Sequence, residues 1–303
     1  MSVPPRGVIG ACLTPFDPEG RVDGEALRRE VDFLVGHCVA VSVLGAEVSE
    51  YRMLDEAARR DWLRRGVELV DGRVPVLAGA SSPRPEEVGE LAGIAASAGA
   101  EFVQVLMPRR PSGDQAGGAE LVAYYEEVTA RSPLPVVVYH NPTYGSDPSP
   151  DVLVRLCELD GVVGVKESSR DMSRIGRLIA EIDVAGLANY YTTMQPLLAT
   201  LLQGGSGAMI PAPASLLGAR VVRAVEAGDL DGARAAQAAF ARFPARWRGY
   251  GLPPVMRCAM THLGIDIGPG PAPYVRVGEQ DAAEIRATLS AAGLTRDAVV
   301  AWT

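Results

Sequence analysis

A (β/α)8 TIM barrel with a C-terminal helical extension is the fold that the sequence predicts. Eight short, almost continuously apolar runs alternate with longer stretches in which apolar residues recur at helical spacing. Runs apolar at every position suit a parallel sheet buried on both faces, rather than a sheet with one wet face. Eight such strands alternating with helical stretches within about 210 residues match this barrel in number and size. A doubly wound sheet usually has fewer strands, and no G-x-G-x-x-G follows the first run.

The strands are expected over residues 8–13, 40–44, 74–78, 102–106, 135–139, 162–166, 187–191 and 208–210. Helices are expected over 25–35, 56–70, 86–98, 119–130, 151–159, 171–182 and 196–202. Asp23 and Asp55 precede two of them, where a short side-chain acceptor satisfies the first free amides. Beyond Pro211 the pattern turns helical over 215–226, 230–243, 254–262 and 279–292, with a Pro/Gly-rich link at 268–273. The division expected is a barrel catalytic domain over 1–225 and a C-terminal helical region over 226–303.

Of 303 residues, 48 % are hydrophobic and 22 % charged, ordinary for a globular enzyme with a substantial core. A net charge of −8 disfavours nucleic acid and anionic membrane surfaces as partners. The start of the chain lacks a signal-peptide pattern, and no apolar run is long enough to span a bilayer. A cytoplasmic location is therefore expected. Cys12, Cys38, Cys157 and Cys258 show no CxxC spacing and read as free thiols. His37, His140 and His262 fall in separate elements, which disfavours a metal-dependent aldolase, and no metal or cofactor is expected.

Lys166 is the only lysine among 29 basic residues. A chain that uses arginine wherever a cation suffices, yet keeps one lysine, suggests a role that arginine cannot fill. An amine can lose its proton and attack a carbonyl, whereas a guanidinium cannot. Lys166 also ends the apolar run 161–165 and so belongs to a strand, not a solvated face.

In such barrels catalytic groups stand at the C-terminal ends of strands. Strand five ends in Tyr139-His140-Asn141-Pro142 and strand six in Lys166-Glu167-Ser168-Ser169. Neighbouring strands lie about 4.8 Å apart, so Tyr139 and Lys166 can meet across one substrate. Desolvation would lower the amine's pKa and let it form a Schiff base with a 2-oxo acid. A nearby phenol could move protons to and from that adduct. The turn Gly204-Gly205-Ser206-Gly207 could bring backbone amides close to a carboxylate.

These motifs resemble the dihydrodipicolinate synthase / N-acetylneuraminate lyase family. The resemblance rests on Tyr139-x-x-Pro142, Gly164-Val165-Lys166-Glu167-Ser168-Ser169 and Gly204-Gly205-Ser206-Gly207. Leu13-Thr14-Pro15-Phe16 and the stretch Asp71-Gly72-Arg73-Val74-Pro75 also match, and the similarity spans roughly 7–289. It implies a class I, Schiff-base-forming lyase on this barrel, usually a homotetramer. It assigns Lys166 as imine former and Tyr139 as proton carrier. It also implies a small 2-oxo acid as substrate, with Val48, Ser49, Thr192, Gly207 and Ile210 as substrate-binding candidates.

The chain departs from the family pattern at places that bear on the reaction. The loop after strand two normally carries Gly-Ser/Thr-Thr-Gly-Glu, whose hydroxyl pair binds the carboxylate and relays protons. Here it reads Ala46-Glu47-Val48-Ser49-Glu50. The tyrosine that the synthase places after strand four is absent from Leu106-Met107-Pro108-Arg109-Arg110-Pro111. The arginine following Tyr-x-x-Pro aligns with Tyr144. These losses disfavour dihydrodipicolinate synthase itself and favour aldolases or dehydratases of 2-keto-3-deoxy sugar acids. Glu47 then becomes a candidate acid or base for β-hydroxyl loss. Glu50, by contrast, reads as a structural carboxylate. A weakened barrel that captures a 2-oxo acid without turnover is the alternative from another class.

Overall fold

The computed structural model of the protein describes residues 2–243 and 247–300; 301–303, the end of the expected helical region, lie outside the described residues. Eight strands form one closed parallel barrel in sequence order: β1 (Gly7–Ala11), β2 (Ala40–Val43), β3 (Val76–Gly79), β4 (Phe102–Leu106), β5 (Val136–His140), β6 (Val162–Glu167), β7 (Asn189–Thr192) and β8 (Gly207–Pro211). Eight helices follow them in turn: α1 (Gly24–Val35), α2 (Glu56–Val70), α3 (Pro85–Ala98), α4 (Gly118–Arg131), α5 (Pro150–Cys157), α6 (Met172–Leu178), α7 (Leu197–Leu202) and α8 (Ala212–Glu226). The chain then continues through α9 (Leu230–Arg242), α10 (Trp247–Tyr250), α11 (Leu252–His262), α12 (Glu279–Ala291) and α13 (Arg296–Val300).

The expected strand limits shift by a few residues, each for a local reason. β1 stops at Ala11 because the Leu13 amide turns away to donate to the buried Glu30 carboxylate at 2.8 Å. β7 begins at Asn189 because the amides of Leu187 and Ala188 still bond back to the Ile182 carbonyl. Asp23 accepts from the Glu25 and Ala26 amides, and Asp55 from the Ala58 amide, so both act as helix N-caps.

One side chain from each strand fills the barrel interior: Ile9, Ala40, Leu77, Phe102, Val137, Val163, Tyr191 and Met209. Below this apolar plug the N-terminal segment closes the barrel, where the Tyr191 hydroxyl donates to the Pro4 carbonyl at 2.8 Å. Polar chemistry is thereby left to the opposite, C-terminal end.

A bulge decides what β6 offers there. Val136 pairs with Val162, but the next residue, Val137, pairs with Gly164, leaving Val163 as an extra residue. Val163 faces inward, so plain alternation would turn Lys166 out toward the helices. The extra residue resets the phase, and Lys166 comes into register with Tyr139 on the inner side.

The loop after β2 is held under backbone strain. Leu44 (φ 55°) and Glu50 (φ 53°) bracket it, both in the left-handed region that non-glycine residues rarely adopt. The Glu50 carboxylate pairs with Arg257 of α11, whose guanidinium also donates to the Thr14 carbonyl at 2.7 Å. The C-terminal helices thus hold the strand-two loop in place.

Candidate active site

A cavity of about 580 Å³ opens at the C-terminal end of the barrel. Lys166 and Tyr139 form its floor, Glu47 and Val48 one wall, and Asn141, Thr143 and Tyr144 another. Ser168, Arg170, Thr193 and Met194 continue the wall beyond β6 and β7. Gly251, between α10 and α11, and Leu252 and Pro253, in the first turn of α11, complete it, so the C-terminal region is part of the pocket.

Lys166 is 6 % exposed, and its Nζ lies 4.4 Å from the centroid of the Tyr139 ring, over its face. Nζ donates a hydrogen bond to Ser168 Oγ at 2.5 Å. Burial lowers the Lys166 ammonium from its ordinary 10.5 to about 7; the negative charges of Glu167 and Glu47 oppose that shift, and the Arg170 guanidinium adds to it. A large share of this lysine is thus a neutral amine at physiological pH.

Burial pushes the Tyr139 phenol up to about 12. Hydrogen bonds from Asn141, the Glu47 backbone and Ser168 pull it back, while the Glu47 charge adds to the rise. Asn141 Nδ2 donates to Tyr139 Oη at 2.9 Å. Tyr139 is therefore a protonated phenol, able to give a proton to a developing oxyanion and to recover it later.

Glu167, the neighbour of Lys166, points the other way. Its Oε1 lies 2.6 Å from His140 Nδ1, and its Oε2 accepts from the Tyr190 hydroxyl at 2.9 Å. Arg174 Nε and the Ser169 amide also reach Oε1, at 3.4 and 3.1 Å. Burial alone would raise this carboxyl, but the bonds and charges of His140 and Arg174 outweigh it and hold the carboxyl below its ordinary range. This buried network anchors the end of β6 from behind, and His140 belongs to it rather than to the cavity.

Glu47 reaches the cavity wall with both oxygens engaged. Its carboxylate lies 3.0 Å from Arg52 Nε and accepts from the Tyr51 hydroxyl at 3.1 Å. Val48 also lines the cavity. Four other candidates sit elsewhere. Ser49 is fully buried in the loop and donates its hydroxyl to the Ala46 carbonyl at 2.6 Å. Thr192 is fully buried and outside the cavity wall; its strand neighbour Tyr191 faces inward, so the pleat turns Thr192 outward and presents Thr193 instead. Ile210 points outward against Gly218 of α8, while Met209 and Pro211 face the cavity.

Gly207 lies at the far end of the barrel, because a turn that precedes a strand meets the strand's N-terminal end. There a Cβ on Gly207 would strike the Gly7 carbonyl at 1.9 Å. The amides of Gly204, Gly205 and Ser206 are spent on the carbonyls of Leu201, Thr200 and Tyr190, not offered to a carboxylate.

Residues 4–292 match the model of the dihydrodipicolinate synthetase family. The chain belongs to this family. It is an enzyme of the family's class I lyase type. An uncharacterised DapA-like lyase of Halobacterium salinarum is 30 % identical over 294 residues, covering 95 % of this chain and 94 % of that one. A 4-hydroxy-tetrahydrodipicolinate synthase of Thioalkalivibrio sulfidiphilus is 29 % identical, covering 97 % and 99 %. A solved dihydrodipicolinate synthetase-like structure from Pseudomonas aeruginosa superposes with a TM-score of 0.86 at 26 % identity, covering 95 % and 99 %.

Within the dihydrodipicolinate synthetase family, this member differs in what it sets around the lysine. The strand-two loop carries the Glu47 carboxylate where the resemblance leads one to expect a hydroxyl. Arg109 and Arg110 stay off the cavity wall: Arg109 donates to the carbonyls of Gly113 and Pro142, and Arg110 pairs with Glu120. Ser168, Asn141 and Arg170 line the cavity without being among the candidates that the sequence offers. The signal was present, since Asn141 follows Tyr139 by two positions, and Ser168 and Arg170 follow Lys166 by two and four.

Proposed function

We propose that this lyase captures pyruvate or a larger 2-oxo acid as a Schiff base on Lys166. The adduct then serves aldol cleavage or addition, or dehydration, of a 2-keto-3-deoxy sugar acid or a similar substrate. The observation that carries this reading is the buried, near-neutral amine of Lys166 set over the Tyr139 phenol at the floor of the cavity. The neutral amine adds to the keto carbon, and the C=O electron pair moves to oxygen, which takes a proton from Tyr139. Tyr139 then takes a proton from the nitrogen and passes it to the new hydroxyl, whose loss as water gives the protonated imine, an electron sink for breaking or making the adjacent carbon–carbon bond.

Glu47 supports the dehydratase branch, because it brings to the cavity wall a carboxyl group that can take up and return the proton moved when a β-hydroxyl leaves. Its bonds to Arg52 and Tyr51 hold it in one orientation for that transfer. The test is a screen of 2-keto-3-deoxy sugar acids that scores pyruvate release separately from dehydrated product, with aspartate semialdehyde plus pyruvate as the synthase arm. Turnover of a sugar acid that falls in Glu47→Gln supports the dehydratase reading. Undiminished turnover in Glu47→Gln removes Glu47 from the chemistry. Condensation in the synthase arm alone replaces the sugar-acid reading by a synthase. The family resemblance also supports a homotetramer, which light scattering checks.

A further inference from the structure

We propose that Ser168 is a catalytic residue, a proton carrier that connects the Lys166 amine to the Tyr139 phenol; this rests on the Schiff-base reading above. Forming an imine requires a proton to leave nitrogen and another to reach the substrate oxygen. Lys166 Nζ lies over the face of the Tyr139 ring, and its hydrogen bond goes instead to Ser168 Oγ at 2.5 Å. A hydroxyl that accepts from the amine has its own proton to give, and the phenol nearest to it on the cavity lining is Tyr139, over whose ring the same amine lies. Asn141 Nδ2 holds the same phenol oxygen from another side at 2.9 Å, which fixes the end of the path. Amine, serine hydroxyl and phenol are thus gathered at the floor of one cavity.

Local structure explains why this hydroxyl is in place. Lys166 and Ser168 are two residues apart at the end of β6, so both face inward once the Val163 bulge has reset the phase. The strand-two loop offers no substitute: Glu47 and Val48 occupy its wall, and the Ser49 hydroxyl is tied to the Ala46 carbonyl. The hydroxyl that this chain brings to its lysine comes from strand six.

The step balances as follows. The amine nitrogen bonds to the keto carbon as the C=O π pair moves onto oxygen. The nitrogen proton passes to Ser168 Oγ, the Ser168 proton to Tyr139 Oη, and the Tyr139 proton to the substrate oxygen. Both side chains end as they began, and the product is the neutral carbinolamine.

The test is rapid-quench borohydride trapping with pyruvate, read by intact mass, for the unaltered protein, Ser168→Ala and Ser168→Thr. General acid–base groups contribute about a hundred-fold or more, so we expect Ser168→Ala to lower the saturating trapping rate at least about ten-fold. The final adduct occupancy and the half-saturating pyruvate concentration should stay unchanged, and Ser168→Thr should restore most of the rate. A Ser168→Ala protein that traps pyruvate at the unaltered rate overturns the proposal and leaves the Schiff-base reading intact. Equal loss of final occupancy in both variants also overturns it, because that marks a structural role. An unaltered protein that forms no adduct with pyruvate or a larger 2-oxo acid overturns the Schiff-base reading and this proposal together.

Discussion

At the residue scale the site turns on the protonation of one amine. With the Lys166 ammonium lowered to about 7, the attacking form is scarce below that pH and dominant above it. Imine formation should therefore rise with pH and level off above about 7, which trapping rates at a series of pH values would show. The Arg170 guanidinium helps keep the amine neutral, so Arg170→Ala should move that midpoint upward. Arg170 is exposed and partly screened, so a shift of roughly a few tenths of a unit is expected. A downward shift would contradict the electrostatic assignment.

The same lysine costs stability. Its folded-state pKa lies below the ordinary value, so the folded state binds protons less readily than the unfolded one. The penalty is complete below about pH 7 and fades as pH rises toward 10.5, where the unfolded chain also loses its proton. Each pKa unit is worth about 1.4 kcal/mol, so Lys166→Met should stabilise the protein at pH 7 by up to a few kcal/mol. Denaturant unfolding at pH 7 and at pH 10 checks both the gain and its decline at the higher pH.

At the element scale, much of the fold was legible because alternation of apolar runs with helical periodicity needs only local information. The phase of individual strands was not. Thr192 and Thr193 both read as polar strand-end residues and Ile210 as another, yet the pleat turns Thr192 and Ile210 outward and presents Thr193, Met209 and Pro211. Reading these correctly requires knowing which side of each strand is the inside. The Val163 bulge is likewise hidden in an unbroken apolar run, although it brings Lys166 inward. Gly207 was misplaced for another reason, as its motif sits at the strand end that faces away from the site. Helix caps, by contrast, are local, and Asp23 and Asp55 cap as expected. Asp55→Ala should cost about 1 kcal/mol, measured as a lowered unfolding midpoint with imine trapping unchanged.

At the scale of the whole molecule, the pocket depends on residues that are distant in sequence. Gly251, Leu252 and Pro253 close a wall that the barrel strands leave open, and Arg257 ties α11 to the strand-two loop through Glu50 and Thr14. No local pattern announces such contacts, so the helical extension read only as an appendage. Burial leaves the Glu50 carboxyl raised despite its partner, which marks a desolvated pair. Removing one side of such a pair typically costs on the order of 3–5 kcal/mol. Arg257→Met should therefore lower the unfolding midpoint substantially and, by loosening the loop that carries Glu47 and Val48, reduce pyruvate capture. Retention of both would show that α11 does not support the site.

The most direct measurement is borohydride reduction of the protein incubated with pyruvate, followed by intact mass. Because Lys166 is the only lysine, one mass identifies the residue almost without further mapping. A single stoichiometric adduct, absent from Lys166→Arg, is the result expected. No adduct with pyruvate or any larger 2-oxo acid, or an adduct that persists in Lys166→Arg, would contradict a Schiff base on this lysine.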